Sequence, residues 1–302
     1  MFSAARLFPA LALVALLSLA ATGNDPGPNV RPADDSQAAK PLPFQPDEEL
    51  IYQADFSKLM LRGIEIAEFR FTVERERPLA ETRPVAAAAA GAPAQAQQQH
   101  QPDNLVFKGD VRAKGWFRKI FGIDFHYNHE STVAPDTLLI LHTSKLDEQG
   151  KRVRVSDAVF DRTTNVVTWT ERNPNDPQSE PRVVRNVLDG AAHDIISAIY
   201  FLRTQQLRPG QSFELAVSDS GQTVRVPVRV TERKTVKSVV GRVPTLRVEV
   251  GLFGAGRLVN DREGEMTLWI TDDARRLPVR ARLSADVGTL DIKLKKVSTK
   301  KP

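Results

Sequence analysis

A period of two runs through most of this chain, and it constrains the fold more than any other feature. In "EIAEFRFTVERE", Phe69, Phe71 and Val73 alternate with Arg70, Thr72 and Glu74. "TVRVPVRVTER" sets Val224, Val226, Val228 and Val230 on one side and Arg225, Pro227 and Arg229 on the other. "TLRVEVGLF" and "GTLDIKLKKV" repeat the scheme with Leu246, Val248 and Val250, and with Leu290, Ile292 and Leu294. Successive side chains of a strand point to opposite faces, so these segments read as antiparallel strands with one buried and one wet face. Turn residues punctuate them at 147–150, 161–165, 219–221 and 272–275.

The stretch "LWITDDARRLPVRARL" (268–283) follows the same rule. Met266, Leu268 and Ile270 form one face, and Val279, Ala281 and Leu283 continue it on the return strand. Asp272 and Asp273 fall in the connecting turn, where a carboxylate accepts backbone N–H groups. Pro278 cannot donate to a ladder, which makes its position an edge, a strand start or a bulge. The stretch is a hairpin before it is a site.

One segment departs from the pattern. In "VLDGAAHDIISAIYFLRTQQLRPGQ", Ile195, Ile196, Ile199, Tyr200 and Leu202 recur at helical spacing, with Asp189 to cap the start and Arg208-Pro209-Gly210 to end it. This predicts one amphipathic helix of roughly three to four turns laid on a sheet. "KGWFRKIFG" is expected to hold a shorter helix or irregular turn. A dozen or so strands with one helix give a mainly β fold. The expectation is a single large antiparallel meander sheet, curled into an open or partly closed barrel with the helix packed on it.

The N-terminus has another character. Residues 1–23 carry one early cation, Arg6, then an apolar run from Leu7 to Ala20 and small residues beyond, the form of a cleaved secretory leader. The run is shorter than the ~20 residues that span a bilayer. The chain contains no cysteine, so it is not a lipoprotein, and disulfides, thiolate metal sites and cysteine nucleophiles are excluded. A periplasmic or secreted location is expected, with no membrane span after leader cleavage. Residues 24–48 are rich in Pro, Asp and Asn and read as a disordered tether. The β domain is expected over 49–298, interrupted at 83–103 by an Ala/Gln-rich disordered insertion.

Little in the sequence points to bond-breaking chemistry. There is no G-x-S-x-G or H-E-x-x-H pattern. His126 and His129 in "DFHYNHEST" fall on opposite faces of a strand and cannot share a metal without a bend. Asp189 and His193 lie four apart, and an ordinary cap with a surface pair explains them. Gly251, Gly254 and Gly256 lack the lysine and helix of a phosphate loop, which leaves a flexible loop with Arg257 as a weak anion-binding residue. No catalytic residue, metal or cofactor is assigned, and the chain reads as a non-enzyme.

Two features bear on binding. The outer faces carry Arg225, Arg229, Arg247, Arg280, Arg282, Lys293 and Lys295, a basic stripe suited to anionic glycolipid or polysaccharide. Glu232, Glu249, Glu265 and Asp291 balance it, and the simpler reading is a solvated face. The net charge of +5 is too modest for a nucleic-acid binder. The large inner face either fills itself or leaves a cavity for an acyl chain, with Trp116, Phe117, Ile120 and Phe121 as candidate lip or lid.

Several local patterns then coincide. "PDEELIYQADF…LRGIEIAEFRF", "GIDFHYNHESTVAPDTLLILHTSKLDEQGKRV", "DIISAIYFLRTQQLRPGQSF" and "GEMTLWITDDARRLPVRARLSADVGTLDIKLKKV" resemble exported bacterial proteins grouped as domain of unknown function 3108. The resemblance covers roughly Pro46 to Val297 without the insertion. It implies a secreted meander sheet curled into an open barrel, similar in style to envelope lipoprotein carriers, and supplies no activity and no functional residues. The expected function is a non-catalytic envelope protein that binds a lipid or glycolipid in a curved sheet. The alternatives are a scaffolding module binding another envelope protein or glycan through its basic face, and a hydrolase whose His, Asp and Ser converge from distant segments.

Overall fold

The computed structural model describes residues 41–76, 103–116, 119, 122, 124–188, 190–259 and 263–299. The leader, most of the tether and nearly all of the Ala/Gln-rich insertion lie outside the described residues. So do Phe117, Ile120, Phe121 and Asp189.

Among the described residues fifteen strands form one sheet. The first eight are β1 (Glu48–Lys58), β2 (Leu61–Glu76), β3 (Asn104–Ala113), β4 (Phe125–Val133), β5 (Ile140–Gln149), β6 (Arg152–Asp161), β7 (Val166–Arg172) and β8 (Arg182–Val187). The short β9 (Ala192–His193) leads into the helix α1 (Ile195–Thr204). Then come β10 (Ser212–Asp219), β11 (Gln222–Ser238), β12 (Gly241–Val250), β13 (Gly264–Thr271), β14 (Pro278–Ala285) and β15 (Gly288–Thr299). From β1 through to β8, and from β10 through to β15, consecutive strands pair, and β15 returns to pair with β1, which leaves β8 and β9 as the edges. Every ladder is antiparallel except the two-residue β9–β10 bridge. The alternation read from the sequence is realised directly: in β4, Phe125, Tyr127, His129, Ser131 and Val133 are buried while the residues between them are partly exposed.

The sheet curls until its edges approach, but among the described residues no ladder closes it. Asn186 Nδ2 on β8 donates to the carbonyl of Gly221 in the β10–β11 turn at 2.7 Å. A Cβ on Gly221, which sits at φ +77°, would lie 3.0 Å from the side chains of Trp169 and Val184. That turn requires glycine twice over, once for its conformation and once for the close approach. Lys145 on the interior strand β5 and Asp219 on β10 also form an ion pair between the two halves of the sheet. The result is a curled sheet that is not closed into a barrel, its two halves bridged by side chains.

The turns form where acids and glycines predicted them. Asp161 Oδ1 accepts the N–H groups of Thr163 and Thr164 at 2.8 and 3.1 Å. Asp273 Oδ1 accepts those of Arg275 and Arg276 at 3.1 and 3.0 Å, and Asp272 pairs with Arg233. Pro278 starts β14, beside a register shift in the β13–β14 ladder.

Several expectations about the helix and the tether need correction. The helix is capped by Asp194, whose Oδ1 accepts from the N–H groups of Ile196 and Ser197 at 2.8 and 2.9 Å, while Ser197 Oγ accepts from the Asp194 N–H at 2.9 Å. The cap therefore lies five residues beyond Asp189, and the helix has ten residues, under three turns. His193 precedes the helix on β9, buried against Phe201, and cannot make the surface pair that i,i+4 spacing implied. The packed chain also reaches back into the expected tether. Phe44 is 4% exposed and lies edge-on to Phe107 and Tyr200, with ring centroids 5.7 and 5.0 Å away.

The register defines two ends. At one lie the β1–β2 turn, the segment after β3, the β12–β13 connection and the β14–β15 turn. At the other lie the β11–β12 and β13–β14 turns and the start of β1.

Candidate functional site

Inward positions of β1–β4 and β13–β15, together with α1 and the β12–β13 connection, line a partly open cavity of about 150 Å³. Leu50 and Tyr52 of β1, Phe69 and Phe71 of β2, Met266 and Leu268 of β13, and Leu290 and Ile292 of β15 form its sheet walls. Ile195, Ile196, Ile199 and Tyr200 face them from the helix. Gly109 lets the helix approach: a Cβ there would be 2.6 Å from Ile196 Cδ1. The wall is almost wholly apolar. A void of this size holds a benzene-sized guest, and close-packed interiors seldom leave one.

The cavity has a distinct floor and roof. At the far end Arg203, with no exposed surface, binds both oxygens of Glu48 at 2.5 and 3.1 Å. It also donates to the carbonyls of Pro43 and Arg275, each at 3.2 Å. Its guanidinium covers the Phe44 and Tyr200 rings. At the near end the β12–β13 connection folds back on itself, with Val259 N–H donating to Leu252 O and Gly254 N–H to Val259 O, both at 2.9 Å. That fold presents Leu252, Phe253, Leu258 and Val259 to the cavity.

A polar belt adjoins the apolar chamber. Tyr127 and His129 line the cavity, and Ser131, Lys145, Asp194 and Asp219 lie behind them. Burial pushes the His129 imidazole down to about 4, the attraction of Asp194 notwithstanding, so the ring is neutral at pH 7. Burial also pulls the Lys145 ammonium down, but the facing Asp219 carboxylate more than reverses this and leaves it above the usual lysine range. Desolvation raises the Tyr127 and Tyr200 phenols. Tyr200 Oη and Asp194 Oδ2 are buried without a hydrogen-bond partner among the described residues.

Ser131, His129 and Asp194 thus converge, as a hydrolase reading would ask, but not in relay geometry. Ser131 Oγ and Asp194 Oδ2 both address the same ring nitrogen, Nε2, at 3.2 and 3.7 Å. A catalytic imidazole needs the acid on one nitrogen and the nucleophile on the other. The opposite nitrogen instead faces the Tyr127 hydroxyl at 3.4 Å. Ser131 is fully buried and outside the cavity wall.

The residues singled out from sequence are scattered. Trp116 sits in a helical turn, 42% exposed, and does not line the cavity. Arg257 Nη1 donates to the Arg225 carbonyl at 2.7 Å and so pins the β12–β13 connection. Arg280 borders the cavity, but its guanidinium makes two 2.6 Å bonds to Asp291 and stacks 5.1 Å from the Trp269 ring, and neither of those partners lines the wall. Arg282 lies 3.7 Å from the same carboxylate. Arg247 pairs with Glu249 and Lys293 with Asp55, so much of the supposed stripe is neutralised in place. His126 and His129 do face opposite ways, His126 lying between Asp110 and Glu148 at 2.7 and 3.0 Å. Among the described residues no group of three His, Asp or Glu side chains gathers for a metal.

Sequence reasoning missed Arg203, Tyr52, His129 and the apolar side of the "GLFGAG" loop as cavity components. Only Arg203 left a signal, a cation at the 195, 199, 203 spacing of the helix's apolar stripe.

The sequence profile of the family described as "Protein of unknown function (DUF3108)" matches residues 84–295. The chain belongs to the DUF3108 family. The match begins after β2, yet β1 and β2 stand mid-sheet and supply part of the cavity wall, so this DUF3108 fold extends beyond the matched stretch. Among solved structures the DUF3108 chain is similar to a beta-barrel-like protein of domain of unknown function DUF1849 from Brucella abortus. The two share 9% identity at a TM-score of 0.51, over 84% of this chain and 98% of that one. The likeness shows the fold alone. A protein with a YmcC-like fold from Bacteroides fragilis aligns over 85% of this chain and 98% of its own, at 9% identity and a TM-score of 0.29. No curated protein matches at a significant level. Among the described residues no helix is long and apolar enough to cross a membrane.

Proposed function

We propose that this DUF3108 protein is an exported, non-catalytic envelope protein that takes the apolar part of a lipid or glycolipid into its curled sheet. The single observation that carries the reading is the apolar cavity of about 150 Å³ between α1 and the sheet. The chamber admits a short alkyl segment or one ring, so the bound molecule is an amphipath that buries its tip and leaves its polar part outside. The apolar run of residues 7–20 supports export.

Organic extraction of the natively purified protein followed by mass spectrometry tests this. A stoichiometric envelope lipid is the expected result. An empty protein that also fails to take up a fluorescent fatty acid sinks it. The scaffolding alternative draws less support, because Arg280, Arg282, Lys293 and Arg247 already have carboxylate partners.

A further inference from the structure

The β1–β2 turn carries the most exposed apolar side chains among the described residues. Leu59 is 87% and Met60 98% exposed, with Leu61 beside them. A two-residue hairpin turn ordinarily takes Gly, Asn or Asp, above all where φ is positive, and Leu59 sits at φ +51°. Neither side chain contributes to a core cluster, so packing does not account for them. Lys58 and Arg62 bracket the three residues; both are exposed, and neither forms an ion pair among the described residues.

The surroundings fit the same purpose. Ser57 Oγ accepts the Gly63 N–H at 2.9 Å, bracing the base of the turn. The acids further along β2, Glu65 and Glu68, are tied to Lys114 at 3.1 and 3.0 Å. The Lys114 N–H bonds Ile66 O, which holds the half-exposed Trp116 at the same end of the sheet. The β12–β13 connection that roofs the cavity also lies at this end.

We infer that the Lys58–Arg62 hairpin tip is a membrane-docking element: Leu59 and Met60 enter the interface of an anionic bilayer while Lys58 and Arg62 meet the lipid phosphates. Apolar side chains at a braced tip enter the acyl boundary with little ordering cost, and flanking cations add attraction to anionic headgroups. Docking there brings the cavity's near end to the bilayer. The inference concerns a surface and does not depend on what the cavity holds.

Because the chain has no cysteine, single-site labelling tests it directly. Met60→Cys and, as a control, Val239→Cys at the opposite end are each labelled with an environment-sensitive fluorophore in the full chain. The probe vesicles contain phosphatidylethanolamine and phosphatidylglycerol with brominated acyl chains. The label at 60 should shift blue and be quenched at least twofold, while the label at 239 is unchanged. Leu59→Gly with Met60→Ser, a pairing suited to the turn, should weaken vesicle affinity about tenfold or more with unchanged circular dichroism. Lys58→Glu with Arg62→Glu should abolish the preference for anionic over phosphatidylcholine vesicles. No quenching at 60, equal quenching at both sites, or unaltered affinity in the Gly/Ser variant overturns the proposal. Docking by a protein with an empty cavity would retain this inference and remove the lipid-carrier reading; lipid uptake without docking would do the reverse.

Discussion

Arg203 in the last turn of α1 grips Glu48, the first residue of β1, across 155 positions of sequence, and the guanidinium has no exposed surface. This pair ties together the helix, the first strand and the floor of the cavity. Arg203→Met leaves a buried carboxylate unpaired and should cost about 3–5 kcal/mol. Converting Glu48 as well, to Leu, should recover much of that loss. Urea denaturation of the three proteins measures the recovery, and additive losses would refute the coupling.

The buried imidazoles predict acid sensitivity. Burial holds His129 and His193 near 4, below the ordinary histidine value of 6.5. Between those values the unfolded chain binds more protons than the folded one, so acid favours unfolding. The contribution is whole above about 6.5 and is lost as pH falls to 4, on the order of 3 kcal/mol per ring at most. Denaturation midpoints recorded from pH 7 to pH 4 should fall steeply below 6.5, and His129→Gln should flatten the slope.

The cavity can be filled without breaking the fold. Ala281 lines the wall on β14, and Ala281→Phe places one ring in a space of benzene size. The variant should keep its melting temperature or gain a few degrees, while uptake of a fluorescent fatty acid falls at least tenfold. Uptake that persists would put the ligand elsewhere.

Outer-face charges should matter little to binding. Asp291 is held below the usual carboxylate range: burial opposes this, but the two bonds from Arg280, with Lys293 and Arg282 nearby, prevail. Arg280→Ala should cost about 1 kcal/mol, since the pair is partly exposed to solvent. Thermal unfolding reads that loss, and Arg282→Ala, at a residue outside the cavity wall, should leave fatty-acid uptake unchanged. Charge reversal of Arg280 and Arg282 with loss of a glycan or protein partner would restore the scaffolding reading.

Periodicity made the strands and their inward residues legible. Val226, Val228 and Val230 are buried as their spacing requires, and the turns at 161–165 and 272–275 form around their acids. The helix was legible too, but its start was not. The spacing points to Asp189 as the cap, whereas the bonds from the Ile196 and Ser197 N–H groups place it at Asp194, next to the buried His193. The same limit applies to Arg280. Its alternation puts it outward, as it is, but nothing local reveals Asp291 and Trp269 as its partners.

The sequence by itself determined an alternating β chain with one helix, because hydrophobic spacing acts over a few residues and needs no partner. Only the tertiary structure decided that β15 returns to β1, that Arg203 finds Glu48, and that the interior keeps a hollow rather than a filled core. Those outcomes depend on how the sheet curls and how side chains distant in sequence share volume, and neither is written into any short stretch of residues.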